Sequence, residues 1–373
     1  MSAAAGGDGL LPYVPQLLTD WSPTGADERH MAVTGTLAFV DISGFTQLTE
    51  RLARKGKVGA EEMSDLLSTT FGDLLTESYD DGADLVKWGG DAMLLLFHGP
   101  GHAARAARAA HRMRARLRVV GQLATSSGRV RLRMSVGIHS GDFDFFLVGD
   151  PAIHRELLIS GPAATTTAQT EAAAAAGQIG LSAATAALLD GRLLGQPLLD
   201  GRLLRSAPVR PESSGTFGGS PSLEAARLLL PPPIRALLGA GPVEPEHRLI
   251  TVGFVQYSGT DELLVTSGAA RLAEALDEMV RNVQHACADH DVTFFESDIN
   301  SDGGKIMLTA GAPRSADHDE ERMLRVARLV LDRAGRLPLR IGMNRGHVFS
   351  GTSARRSVAP TRSRAMRSTS RRG

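Results

Sequence analysis

The chain has 373 residues, 42% hydrophobic and 22% charged, which predicts a globular protein of two or three domains and excludes a disordered one. Forty-one basic residues balance forty-one acidic ones, so the chain as a whole is not built to bind polyanions, and no nucleic-acid partner is expected. The single cysteine, Cys287, excludes an intrachain disulfide and a cysteine zinc site.

Residues 1–31 read as a lead-in that lacks the pattern of a signal peptide, and no apolar run anywhere is long enough for a transmembrane segment. A cytoplasmic location is the expectation. A first domain is expected over 32–205. TLAFVD (36–41) is a short strand ending at a turn, and residues 46–79 carry Leu66, Phe71, Leu74 and Leu75 at helical spacing, with a break near Gly56–Gly59. ADLVKW (83–88) and AMLLLF (92–97) predict a hairpin about Gly89-Gly90. A helix over 102–120 and the strand RLRMSVGI (131–138) follow. Residues 206–246 hold eight of the eighteen prolines and read as a linker, with short helical turns in LEAARLLL and IRALLG. The second domain, 247–351, repeats the order with LITVGFVQY, a helix over 268–290, TFFES, KIMLT, a helix over 318–335 and PLRIGM. Residues 352–373 form a basic tail, expected to be disordered.

The two halves are similar in sequence. LAFVDISGFTQL (37–48) recurs as VGFVQYSGTDEL (252–263), GGDAML (89–94) as GGKIML (303–308), and LRMSVGIHSG (132–141) as LRIGMNRG (339–346). Each half therefore reads β-α-β-β-α-β, an α+β ferredoxin-like arrangement. In that topology the first and third strands are neighbours and the second pairs outside. The end of the first strand then lies beside the hairpin, bringing Asp41 close to Asp91, fifty residues away.

Alone, Asp41 reads as a helix cap and Asp91 as a turn former. Brought together, two carboxylates repel unless a cation lies between them, and oxygen ligands of this kind suit magnesium or manganese. Ser43, Gly44, Phe45 and Thr46 form the turn into the first helix, whose backbone N–H groups offer a seat for a triphosphate. The pattern points to phosphoryl chemistry on a nucleotide.

FVDISGFTQLTE followed by KWGGDAMLLLF resembles the class III adenylate/guanylate cyclases, in particular the tandem type of bicarbonate-responsive soluble adenylyl cyclase and its bacterial relatives. The resemblance covers about residues 12–351, including YVP…W and the PEHR that opens the second copy. It implies two ferredoxin-like nucleotide cyclase domains paired head to tail as an intramolecular pseudo-dimer, with a homodimer as a further option. By resemblance, Asp41, Asp91 and the Ile42 carbonyl ligate two Mg2+ or Mn2+, and Ile42, Ser43, Gly44, Phe45 and Thr46 hold the triphosphate. The implied reaction converts ATP, or GTP, to a 3′,5′-cyclic nucleotide and pyrophosphate in intracellular signalling. A diguanylate cyclase is rejected because Ala92 and Met93 follow Gly-Gly-Asp.

The chain also departs from that pattern. Gln256 and Lys305 stand where the first copy has Asp41 and Asp91, which excludes a second metal site. Aligned on Gly-Gly, the family's base-selecting lysine corresponds to Lys87 in the first copy and to Ser301, beside Asp302, in the second. Lys87 itself then falls in a degenerate pocket, a regulatory pseudo-site in relatives, or is a solvated strand lysine. The family segment G-D-A-V-N-L-A-A-R carries an Asn and an Arg for the transition state. The first copy has Thr165 and Gln169 at those places, and residues 352–373 do not match the segment at all. Allowed codons for SVAPTRSRAMRSTSRRG, read two bases downstream, can spell R-R-T-Y-T-V-T-G-D-A-V-N-L-A-A-R, so a frame lost just after Gly351 is expected. Weak or absent turnover follows, with a catalytically silent nucleotide-binding regulatory module as the alternative.

Three remaining features have structural readings. The arginines of 105–118 alternate with an alanine-led stripe and read as a solvated face. Asp317, Asp319, Glu320 and Glu321 suit the start of a helix, and Cys287 lies on an apolar stripe with Leu276, Met279 and Val283.

Overall fold

The run TLAFVD belongs to a strand buried on both faces, which is why apolar residues follow one another there without alternating. In the computed structural model, which describes residues 8–19, 21, 29–211, 222–240 and 246–350, this strand is β1 (His30–Ser43). Ala38, Val40 and Ile42 face one core, and Leu37 faces another. The first core lies beneath α1 (Phe45–Ala53), α2 (Gly56–Tyr79) and α3 (His102–Val120). Gly56, at φ 59°, opens α2, so the expected break falls just before it.

The hairpin consists of β2 (Asp84–Gly89) and β3 (Ala92–His98). Gly89 pairs with Ala92, so the two-residue turn is Gly90-Asp91 rather than Gly89-Gly90. A small hairpin of β4 (Gln122–Thr125) and β5 (Gly128–Arg131) precedes β6 (Arg133–Val148). The sheet order β2-β3-β1-β6 is the one expected from the βαββαβ pattern.

The chain then adds β7 (Glu156–Ser160), α4 (Pro162–Ala173), β8 (Ile179–Leu181), α5 (Ala183–Ala187), β9 (Leu194–Leu198) and β10 (Gly201–Leu204). Helix α4 crosses β6 at Gly137, where an added Cβ would sit 2.2 Å from the Glu171 nitrogen. Between the two halves lie α6 (Leu223–Leu229) and α7 (Pro232–Gly239), matching the expected helical turns. Leu223, Ala226 and Leu238 share a cluster with Leu10, Leu17 and Trp21 of the lead-in. Asp84 fixes that lead-in by accepting from the amides of Gln16 and Leu17 at 2.9 and 2.8 Å.

The second half has the order β12-β13-β11-β14. Its elements are β11 (Glu246–Ser258), α8 (Thr260–Asp289), β12 (Thr293–Asn300), β13 (Gly303–Ala310), α9 (Asp319–Asp332) and β14 (Leu339–Ser350). Helix α8 starts eight residues before the expected 268, and Gly268, at φ 80°, marks a kink inside it. Cys287 is buried with Leu276, Met279 and Val283, as expected. The basic tail over 352–373 lies outside the described residues.

Strand register corrects the alignment of the two copies. Asp41 pairs with Ala92 and Ser135, and Gln256 pairs with Lys305 and Arg340. Lys305 is thus the counterpart of Ala92, and Gly304 that of Asp91. Core faces agree: Met93, Leu95 and Phe97 join Val40, while Ile306, Leu308 and Ala310 join Val255. Aligning on Gly-Gly is one residue out of step and would turn every β13 side chain to the wrong face. Along the outer strand, Lys87 pairs with Leu94 just past a bulge, and Glu296 pairs with Met307 just past the matching bulge. Glu296, not Ser301, is therefore the counterpart of Lys87. The second hairpin is two pairs longer, ending at Asn300 and Gly303.

Candidate active site

Asp41 lies near the end of β1 and Asp91 in the adjoining turn. The two meet through the backbone, because the Ile42 amide donates to the Asp91 carbonyl at 3.0 Å. Both are half-buried. Burial, then the charges of Asp91 and Glu171, push the Asp41 carboxyl up to about 6. Burial also raises Asp91. Lys305 opposes both shifts from the second half, while pairing with Asp298 at 3.2 Å. A pair of carboxylates held in this way is electrostatically unsatisfied, and a divalent cation fits that donor set.

Among the described residues no group of three or more His, Cys, Asp or Glu is arranged to hold a metal ion. Two carboxylates and a carbonyl are nonetheless a normal protein share for magnesium, which keeps waters or substrate phosphates as its other ligands. Glu171 was not foreseen. Its carboxylate accepts from Ser135 Oγ at 2.7 Å, and only the packing of α4 over Gly137 puts it near Asp41.

The expected phosphate turn follows directly. Gly44, at φ 107°, starts α1, and no side chain caps this end, so the first amides of the helix are left for another acceptor. Ser43 is exposed and donates to the Arg133 carbonyl at 3.4 Å. Phe45 is a core anchor, with its ring 5.4 Å from Phe71. The Ile42 side chain is buried, which leaves only its backbone for the expected ligand role. The side chain of Thr46 lies outside the described residues.

At the corresponding turn of the second half, Gly259 is also left-handed, at φ 82°. There the Asp302 carboxylate accepts from the amides of Gly259 and Asp261, each at 3.1 Å. Asp302 comes from the lengthened hairpin and is itself held by Thr165, whose Oγ accepts from its amide at 2.7 Å. The second cradle carries its own anion.

Lys87 is not a solvated lysine. Its Nζ lies 2.5 Å from Glu156 Oε1 and 2.9 Å from Ser297 Oγ of the second half. Burial would raise the Glu156 carboxyl, but Lys87 and His154 outweigh it and bring the pKa down to about 2. Half-buried Glu296 lies nearby, and burial followed by the charge of Asp298 raises its pKa to about 8. Neither Glu156 nor Glu296 sits in a recognisable motif. Strand register alone relates Glu296 to Lys87.

Residues 27–199 match a family model described as the adenylate and guanylate cyclase catalytic domain. Adenylate cyclase type 10 of Rattus norvegicus is 32% identical over 92 residues, which is 24% of this chain and 6% of that protein. The Homo sapiens protein of that name is 37% identical over 65 residues, 17% of this chain and 4% of that protein. The matched stretches are thus a small fraction of the length of these curated relatives. Among solved structures, a class III adenylyl cyclase-like ATP-binding protein from Pseudomonas aeruginosa aligns over 87% of this chain and 80% of that chain. Its TM-score is 0.55 at 13% identity, a likeness of fold that spans both halves. The part of the chain that carries Asp41 and Asp91, residues 27–199, is thus similar to adenylate and guanylate cyclase catalytic domains.

Proposed function

We propose that the two halves pair as one nucleotide cyclase unit, with the first half supplying the metal and triphosphate site and the second the base pocket. The observation that carries this reading is the convergence of Asp41 and Asp91 beside the uncapped start of α1. Asp41, Asp91 and the Ile42 carbonyl would hold one or two Mg2+ or Mn2+ ions. Such a cation, when bound, would stabilise charge on the phosphates and acidify the ribose 3′-hydroxyl. The turn Ser43–Thr46 orients the triphosphate through its amides. The 3′-hydroxyl gives up its proton to water and its oxygen attacks the α-phosphorus while the bond to the β-phosphate oxygen breaks, releasing pyrophosphate. One site per chain is supported, since Gln256 and Gly304 offer no carboxylate and Asp302 already fills the second cradle.

Base choice falls to Glu296, the counterpart of Lys87. An ionised carboxylate offers two acceptors, which match the N1–H and N2–H of guanine. A protonated one offers a donor and an acceptor, which match N1 and N6–H of adenine. With its pKa at about 8, Glu296 admits both purines, ATP more readily at neutral pH.

Turnover is expected to be weak. Thr165 and Gln169 are not the transition-state Asn and Arg of the family, and residues 352–373 do not match the segment that carries them. That observation favours a second reading, a nucleotide-binding regulatory module, and the printed description of the Pseudomonas aeruginosa structure as an ATP-binding protein agrees with it. Among the described residues no helix is long and apolar enough to cross a membrane, and we place the protein in the cytoplasm.

Isothermal titration with a non-hydrolysable ATP or GTP analogue and Mn2+, on wild type and Asp41→Ala, tests the shared core of both readings. Binding lost in the variant supports them, and equal binding in both proteins rejects them. A cyclic nucleotide assay on the wild type then separates enzyme from binder.

A further inference from the structure

Helix α3 uses its arginines in two different ways. On one side they are neutralised: Arg108 meets Asp81 at 3.0 Å, Arg112 meets Glu77 and Asp80 at 2.5 and 3.0 Å, and Arg116 meets Asp73 at 2.8 Å. Arg105, expected at a solvated face, is 2% exposed and donates to the carbonyls of Pro100, Asp81, Gly82 and His98. On the other side, Arg114 and Arg118 converge with Arg131 and Arg133 around a cavity of about 260 Å3, rimmed also by Gln178. None of these four has an acidic partner among the described residues. Arg114 donates to the Gly177 carbonyl at 3.4 Å, and burial together with the charge of Arg118 lowers its pKa.

We propose that this cavity, formed by the C-terminal half of α3, the start of β6 and the turn between α4 and β8, is a binding site for a small oligophosphate of the pyrophosphate class. Four guanidinium groups without acids leave a concentrated positive charge in a chain of zero net charge. Their planar forks match phosphate oxygens in pairs, which a single carboxylate would not satisfy. The cavity is smaller than the roughly 300 Å3 at which pockets for drug-sized ligands begin, so it suits a bare phosphate group rather than a whole nucleotide. A nucleic-acid strand is disfavoured, because the arginines that would extend the patch along α3 are those paired with acids. The site lies behind the phosphate turn, where Arg133 pairs with Ser43 in the sheet. It uses neither Asp41 nor Asp91.

The test is titration of the full chain with sodium pyrophosphate in EDTA, which keeps the candidate metal site empty. Saturable binding with one site per chain is expected, weakened about tenfold per arginine in Arg118→Gln/Arg131→Gln. Both residues are exposed, so the fold is retained. Asp41→Ala should bind pyrophosphate as the wild type does, which keeps this result separate from the cyclase reading. No saturable binding, or equal affinity in the double variant, overturns the proposal. So does tighter binding of a short single-stranded oligonucleotide that is lost in the same variant.

Discussion

The Ile42 amide donates to the Asp91 carbonyl at 3.0 Å, so the end of β1 and the Gly90-Asp91 turn are tied together. The bond fixes two acidic side chains in mutual repulsion, at a cost in stability that a cation would remove. Asp41→Asn should therefore stabilise the metal-free protein by about 1 kcal/mol, the scale of two partly solvated charges at close range. Mn2+ at a hundred times its dissociation constant should raise wild-type stability by about 2.7 kcal/mol and leave the variant unchanged. Denaturant unfolding in EDTA and in Mn2+ measures both. A variant stabilised by Mn2+ as strongly as the wild type would rule out Asp41 as a ligand.

Glu296 predicts a pH-dependent base preference. Its carboxyl is raised from the ordinary 4.5 to about 8, so it is protonated at pH 6 and ionised at pH 9. Guanine needs the ionised form, and each pH unit below 8 should weaken a GTP analogue about tenfold. The ATP analogue should lose affinity above 8. Glu296→Gln, which always offers one donor and one acceptor edge, should flatten both profiles. Competition titrations across pH 6–9 would contradict this assignment if both analogues followed the same curve.

The Lys87–Glu156 pair predicts how the interface between the halves responds to acid. Glu156 is lowered from 4.5 to about 2, so its stabilising effect is complete above pH 4.5 and is lost as pH falls through 2. Lys87→Met leaves a buried charge without its partner and should cost about 3–5 kcal/mol. Adding Glu156→Gln should recover much of that loss, since both charges are then gone. Equilibrium unfolding at neutral pH supplies the comparison, and a double variant no better than Lys87→Met would show that the pair is not the source.

Much of this was legible in the sequence for definite reasons. Repeated motifs in one order give the topology, and the topology alone brings Asp41 to Asp91. The linker helices were readable because prolines bracket short apolar turns. The second hairpin misled because GGKIML copies the letters of GGDAML while sitting one residue out of step. The alternation of Ile306, Leu308 and Ala310 carries the correct register, but it becomes visible only once the core is known. Glu171 and Asp302 act through contacts across the fold that no local spacing encodes.

The register correction also makes Gly137 and Gly342 counterparts, opposite Phe39 and Phe254 in their sheets. Their surroundings differ completely. A Cβ at Gly137 would lie 2.2 Å from the Glu171 nitrogen and 2.6 Å from the Thr167 carbonyl, both backbone atoms of α4 that cannot swing aside. A Cβ at Gly342 meets nothing within 4 Å, and Phe254 opposite it is 43% exposed. Gly137→Ala should therefore destabilise the first half by about 1–3 kcal/mol, as overpacking does, and should shift Glu171 relative to Asp41. Gly342→Ala should be within about 0.5 kcal/mol of wild type. Denaturant midpoints of the two variants decide the matter. A Gly342→Ala cost as large as that of Gly137→Ala would mean that the face of β11 and β14 is covered as tightly as that of β1 and β6.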